Sequence, residues 1–174
     1  MEGSGTIESV GPNVKDLKIN DEIMFGGWGH GAMANYIVLP ESKISKKPNA
    51  LNMAEAAAFA TAYTTAYVSL IRRGEMKPDD VVLIHGSSGG VGMAAVQLAK
   101  MFGNTVIATG TSDEKLKIVK SWGADFILNT LKDGVTSFRE EVKDLTDGKG
   151  ADVIYDPVGG DVFDESIRCI NWNG

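Results

Sequence analysis

A glycine-rich segment near the middle of the chain has the residue types and spacing that bind a phosphate-bearing ligand. Four apolar residues at 81–84 lead into a loop in which Gly89, Gly90 and Gly92 stand close together. In the G-x-G-x-x-G fingerprint Ser87, Gly89 and Gly92 take the three glycine positions, so that a serine replaces the first glycine. The second glycine lets the backbone approach a diphosphate, and the third lets helix and strand pack closely. The segment therefore predicts a strand, a pyrophosphate loop and a helix, although a turn with packing glycines is the alternative.

The end of the next predicted strand bears on the choice of dinucleotide. NAD-binding proteins usually carry an acid there for the ribose hydroxyl, but this strand ends in Thr109, Gly110, Thr111 and Ser112. Asp113 and Glu114 follow, and they fit the first turn of a helix, in which Thr111 and Glu114 form a capping box. The hydroxyl groups of Thr111 and Ser112, with the Lys115 ammonium group, suit a 2′-phosphate. NADPH is favoured; a solvated helix lysine is the alternative for Lys115.

The elements that must position these residues alternate between strand and helix. We predict strands over residues 81–84, 105–109, 126–128 and 152–155, and helices after each of them. The order βαβαβαβα predicts an α/β fold with a doubly wound parallel Rossmann sheet, incomplete at the C-terminus. Short β segments cut by turns precede it, and the polar stretch 41–49 predicts a domain boundary between residues 47 and 48.

Composition excludes several classes of protein. The 174 residues include 17 Lys and Arg against 23 Asp and Glu, a formal net charge of −6, with no basic stripe, so we expect no nucleic-acid partner. The weakly polar stretch 54–70 is interrupted by Glu55 and threonines, which predicts a buried helix rather than a membrane span. Cys169 is the single cysteine, which excludes an intrachain disulfide and fits a cytoplasmic protein.

Four motifs in order resemble one enzyme family over nearly the whole chain. They are FATAYTTAY at 59–67, MKPDDVVL at 76–83, IHGSSGGVGMAAVQLAK at 84–100 and YDPVGG at 155–160. This set resembles the medium-chain dehydrogenase/reductases, specifically the zinc-independent quinone oxidoreductase (zeta-crystallin-like) branch. Residues 1–47 resemble the C-terminal part of that family's GroES-like catalytic domain, and residues 48–174 its NADP-binding Rossmann domain.

The resemblance implies an activity and a set of cofactor contacts. The activity is hydride transfer from NADPH to a small-molecule acceptor, a quinone or an α,β-unsaturated carbonyl, by a full-length form that is a homo-oligomer. The catalytic residues stay unknown, because the residues that shape the acceptor pocket would belong mainly to the catalytic domain. Thr130 and Met33 depart from the aromatic residues that are common in relatives. The residues that the resemblance places at NADPH are Thr65 near the nicotinamide, Ser88, Gly89, Gly90, Val91 and Gly92 at the diphosphate, Gly110, Thr111, Ser112 and Lys115 at the adenosine phosphate, and Val158 at the nicotinamide ribose.

Two other functions stay open from the sequence. One is a truncated or structural dinucleotide-binding module without turnover. The other is a fragment of a zinc-type alcohol dehydrogenase, which the cysteine content disfavours because that branch uses several cysteine ligands. His30 and His85 stand 55 positions apart and form no ligand pattern, so no metal is expected.

Overall fold

The computed structural model describes residues 2–27, 29, 31–132 and 135–174. It divides the chain into two compact units, residues Met1–Thr64 and Thr65–Gly174. This division falls inside a helix, and the domain boundary expected at 47/48 stays a prediction. No helix within the described ranges is long and apolar enough to cross a bilayer.

The first unit contains a three-stranded antiparallel sheet. Its strands are β1 (Gly3–Thr6), β2 (Glu22–Phe25) and β3 (Ile44–Lys46), with β2 in the centre. Ile23 and Phe25 alternate with more exposed residues along β2 and are buried. Gly3 leaves room for the Phe25 ring, since a Cβ on Gly3 would lie 2.7 Å from that ring's Cζ.

Helix α1 (Met53–Tyr67) begins at a reciprocal cap and continues into a π-helical segment, Val68–Arg73. The Asn52 amide N–H donates to Glu55 Oε2 over 2.8 Å, and the Glu55 N–H donates to Asn52 Oδ1 over 2.9 Å. The expectation of a buried helix over 54–70 is wrong, since only Ala56, Ala66 and Leu70 are buried there. Apolar residues are spread around this helix without a distinct apolar face, so its sequence did not distinguish a covered face from an exposed one.

The second unit is built on a parallel four-stranded sheet. Its strands are β4 (Val81–Ile84), β5 (Thr105–Gly110), β6 (Phe126–Asn129) and β9 (Val153–Tyr155). They lie in the order β6-β5-β4-β9, so the first strand of the unit lies between the second and the fourth. This order is that of the first four strands of a Rossmann sheet, and the predicted fold class is confirmed.

The helices of this unit follow the strands in the predicted alternation. They are α2 (Gly90–Met101), α3 (Asp113–Ser121), α4 (Arg139–Leu145) and α5 (Asp161–Ser166). A short antiparallel pair, β7 (Leu131–Lys132) and β8 (Val135–Thr136), stands between β6 and α4. A core of buried residues joins the sheet to these helices; it comprises Leu83, Ile107, Phe138, Val142, Ala151 and Cys169.

The cap of α3 differs from the predicted capping box. Ser112 is the N-cap, with extended backbone at φ −133°, and its Oγ accepts the Lys115 N–H over 3.4 Å. Thr111 and Glu114 therefore form no box. Thr111 and Ser112 both carry a hydroxyl group that can cap a helix, and the backbone conformation places Ser112 at the N-cap position.

Candidate nucleotide-binding site

The loop after β4 is fixed to the neighbouring strand by Ser87. Its backbone N–H and its Oγ both donate to the Thr109 carbonyl oxygen, over 3.1 and 2.7 Å. Gly86, just before it, has φ +58°, a conformation that favours glycine. Ser87 is fully buried, so the serine at the first fingerprint position is a structural anchor that replaces the usual glycine turn.

The start of α2 presents unbonded amides at the end of this loop. Gly89 is the N-cap and offers no side chain, and the first intrahelical bond runs from the Met93 N–H to the Gly89 carbonyl over 2.8 Å. Among the described residues, no acceptor takes the N–H groups of Gly90, Val91 or Gly92. Free amides and the positive end of the helix dipole favour an anion at this position.

Gly92 is required by the close approach of α2 to the loop. A Cβ at this residue would lie 2.7 Å from the Ser87 Cα and 2.9 Å from the Ser87 carbonyl carbon. These are backbone atoms, so they do not move aside as a flexible side chain would. The packing role expected for the third glycine of the fingerprint is therefore visible in the contacts.

Val158 lies beside the loop at the point where the strand order reverses. β4 and β9 are neighbours in the sheet although they are first and fourth in this unit, and ligands of such sheets bind outside the carboxyl ends of the two strands. A Cβ on Gly86 would lie 3.7 Å from Val158 Cγ2. The structure thus brings Val158 to the glycine loop, and its side chain is exposed.

Asp156 shapes the loop that carries Val158. Its Oδ1 accepts the N–H groups of Val158 and Gly159 over 2.8 and 3.0 Å, whereas Gly160 is the N-cap of α5. Asp156 Oδ2 is buried without a partner among the described residues, and Asp156 also lines a cavity that the π-helical segment and β9 enclose. Asp156 therefore holds the turn before the helix.

The residues that are predicted to lie at the adenosine phosphate follow β5. Gly110 ends the strand, Thr111 is exposed, and Ser112 uses its hydroxyl oxygen to cap α3. Lys115 is exposed in the first turn of α3, and its ammonium group has no ion-pair partner among the described residues. The structure therefore leaves the Thr111 hydroxyl and the Lys115 ammonium group free beside the strand end.

Thr130 packs against this strand end. Its N–H donates to the Gly110 carbonyl over 2.9 Å, and its Oγ1 lies 3.4 Å from the same oxygen. The side chain is buried. Thr130 therefore supports the backbone of Gly110.

Thr65 and Met33 both lie at the surface of the protein. Thr65 lies in the last turn of α1 and is exposed, and Met33 is 98% exposed. The placement of Thr65 near a nicotinamide stays a prediction.

A buried histidine network that sequence reasoning missed underlies the loop. His85 Nδ1 lies 2.7 Å from Thr109 Oγ1, and His85 Nε2 lies 2.9 Å from Ser166 Oγ. Ser166 Oγ donates to the Val162 carbonyl, so it accepts from a protonated Nε2, and Nδ1 accepts from the Thr109 hydroxyl group. Burial lowers the pKa of His85 to about 4, although the Asp156 charge opposes this shift. His85 is neutral and joins the ends of β4 and β5 to α5.

The described residues were searched for groups of side chains that could hold a metal ion. No three Asp, Glu, His or Cys side chains are grouped there as a metal ion would require. Cys169 is buried in the core, and burial raises the pKa of its thiol to about 11. His30 lies outside the described residues.

Comparisons with known proteins point to one family. The family model described as zinc-binding dehydrogenase matches residues 90–174. The chain is 38% identical over 172 residues to the quinone oxidoreductase-like protein 2 homolog of Nematostella vectensis, covering 98% of this chain and 46% of that protein. The Escherichia coli quinone oxidoreductase complexed with NADPH matches at a TM-score of 0.85 and 32% identity, over 98% of this chain and 51% of that one.

Over nearly its whole length the chain is similar to medium-chain dehydrogenase/reductases. The predicted resemblance to their quinone oxidoreductase branch is confirmed by these relatives. The fold is shared more widely, since a solved NAD-dependent alcohol dehydrogenase matches with a TM-score of 0.91 at 33% identity, over 98% of this chain and 56% of that one. This chain spans about half the length of these quinone oxidoreductase relatives.

Proposed function

We propose that residues 65–174 bind NADPH and that the protein is an oxidoreductase that passes hydride to a quinone or an α,β-unsaturated carbonyl. The observation that carries this proposal is the set of unbonded amides at Gly90, Val91 and Gly92, beside the reversal in strand order. The NADPH complex of the Escherichia coli relative supports the choice of cofactor.

Each predicted contact has a physical role in this proposal. Amides of the glycine loop take the diphosphate, as the free N–H groups of a helix start do for anions, and Gly92 keeps the helix close enough to present them. These loop residues are Ser88, Gly89, Gly90, Val91 and Gly92. Gly110, Thr111, Ser112 and Lys115 take the 2′-phosphate, with Lys115 supplying the positive charge. Val158 lies against the nicotinamide ribose, and Thr65 near the nicotinamide.

Bound NADPH supplies the hydride chemistry, and the chain supplies binding and orientation. Ser87 and His85 hold the loop in a fixed conformation, which limits the loss of entropy on binding. We assign no catalytic residue among those described.

We also propose a domain organisation, an oligomeric state and a class of partner. Residues 1–47 form the C-terminal part of a GroES-like catalytic domain, and residues 48–174 form the NADP-binding Rossmann domain. The full-length form is a cytoplasmic homo-oligomer that takes a small-molecule acceptor, without nucleic-acid or membrane partners.

A binding module without turnover is the second candidate, because the unbonded amides at the start of α2 account for cofactor binding alone. A turnover assay separates the two candidates. The purified chain is mixed with NADPH and a benzoquinone or an enal, and loss of NADPH is followed by its absorbance.

Acceptor-dependent loss of NADPH supports the oxidoreductase, with a reaction lacking acceptor as the control. NADPH binding without such loss supports the module. Oxidation of an alcohol with NAD instead would support the hypothesis that the chain is a fragment of a zinc-type alcohol dehydrogenase.

A further inference from the structure

The side chain of Asn129 joins the end of β6 to the start of α3. Its Nδ2 donates to Asp113 Oδ1 over 2.7 Å, and its Oδ1 accepts the Leu131 N–H over 3.1 Å. Since the amide is engaged at both its nitrogen and its oxygen, its orientation is fixed. The Asp113 carboxylate that it holds is fixed with it.

Asp113 is the acid nearest in the chain to the adenosine-side loop. It is the first residue of α3 and directly follows the N-cap Ser112. An acid near the end of the second strand usually selects NAD, because it accepts a hydrogen bond from the ribose 2′-hydroxyl group. The same acid repels a 2′-phosphate, so an unrestrained Asp113 would favour NADH and oppose NADPH.

We propose that Asn129 is a specificity-determining residue, which restrains Asp113 and so preserves a preference for NADPH. This inference rests on the proposed function. The hydrogen bond occupies Asp113 Oδ1 and ties the carboxylate to the end of β6. The Thr111 hydroxyl and the Lys115 ammonium group are then left to receive the 2′-phosphate, without a mobile negative charge beside them.

The first test is Asn129→Leu, which removes the donor to Asp113 at similar side-chain volume. Dissociation constants for NADPH and NADH are measured for the wild type and the variant. NADPH is expected to bind more weakly and NADH more tightly, so the preference for NADPH falls by at least about threefold, as expected for one hydrogen bond. Thermal unfolding checks that the variant is folded, and Asn129→Ala is scored in the same way if it is not.

A double-mutant cycle distinguishes this role from a structural one. In an Asp113→Asn background there is no carboxylate to release, so adding Asn129→Leu should leave the ratio of the two dissociation constants unchanged. A merely structural role for Asn129 would weaken both cofactors alike, in both backgrounds, and would overturn the proposal.

The outcomes separate this inference from the proposed function. If the wild type prefers NADPH and Asn129→Leu keeps the full preference, the inference is wrong and the proposed function stands. If the wild type binds neither cofactor, both are wrong.

Discussion

At the scale of single residues, Gly92 sets how closely α2 approaches the loop. For Gly92→Ala we expect a loss of about 1–3 kcal/mol in the free energy of unfolding, because the new methyl group meets the Ser87 backbone at 2.7 and 2.9 Å. Cofactor binding should weaken as well, since the loop must shift. Chemical denaturation measures the first effect.

Gly90→Ala is the matched control for this change. No atom lies within 4 Å of a Cβ at Gly90, which is the first residue of the same helix. Its stability should be unchanged or higher, because alanine is the better helix former. Equal destabilisation by the two substitutions would contradict the packing role of Gly92.

His85 makes a predictable contribution to the pH dependence of stability. Its pKa is about 4 in the folded chain against an ordinary value of 6.5, so between these values the unfolded chain binds more protons. The contribution of neutral His85 to the free energy of unfolding is therefore almost fully present above pH 6.5, and it is lost as the pH falls towards 4. We expect a loss of about 2 kcal/mol between pH 7 and pH 5 from this group.

His85→Gln tests that expectation. The variant should be less stable than the wild type at pH 7, because the bonds to Thr109 and Ser166 are disturbed. The difference between the two proteins should then shrink at pH 5, as measured by denaturant unfolding at both pH values. A constant difference would mean that His85 is not buried in the neutral form.

At the scale of elements, Asp125 connects α2, β5 and the start of β6. Its Oδ2 accepts the Val106 N–H over 2.7 Å and lies 2.8 Å from Lys100 Nζ. Burial raises the pKa of Asp125, but the bonds from Lys100 and Val106 outweigh it and hold the pKa below its usual value. This contribution to stability is present at neutral pH and is lost as the pH falls through the lowered pKa.

Asp125→Asn should lower the free energy of unfolding by about 1 kcal/mol, since one charge-assisted contact is lost while an acceptor for Val106 is kept. The matched control is Glu140→Gln, in an exposed ion pair with Arg139, which should change stability by less than about 0.5 kcal/mol. Denaturation at pH 7 compares them. Equal effects would show that Asp125 does not join these elements.

The periodic elements were predictable from the sequence, whereas contacts between distant residues were not. The apolar run of β4, the glycine loop and α2 follow from local patterns that act over a few residues. Ser166, the partner of His85, lies 81 positions away in the chain, so no local pattern indicated the network. The Asn129–Asp113 bond was missed for the same reason, since it joins two elements across the loop.

At the scale of the whole molecule, the residues that we propose as NADPH contacts all belong to the unit Thr65–Gly174. The fingerprint located the glycine loop that we propose to hold the diphosphate, because strand, loop and helix are adjacent in sequence. The apposition of Val158 to Gly86 depends instead on the pairing of β4 with β9, the first and fourth strands of this unit, which no local pattern indicates.

The central claim is that this unit binds NADPH and discriminates it from NADH. The most direct measurement is a pair of titrations of the purified chain, one with NADPH and one with NADH, in which intrinsic tryptophan fluorescence reports binding. The proteins compared are the wild type, Lys115→Ala and a control variant of another exposed lysine, Lys149→Ala. We predict NADPH binding at least about tenfold tighter than NADH in the wild type and in Lys149→Ala, and loss of that preference in Lys115→Ala. Binding of neither cofactor, equal binding of both, or an unchanged preference in Lys115→Ala would contradict the account.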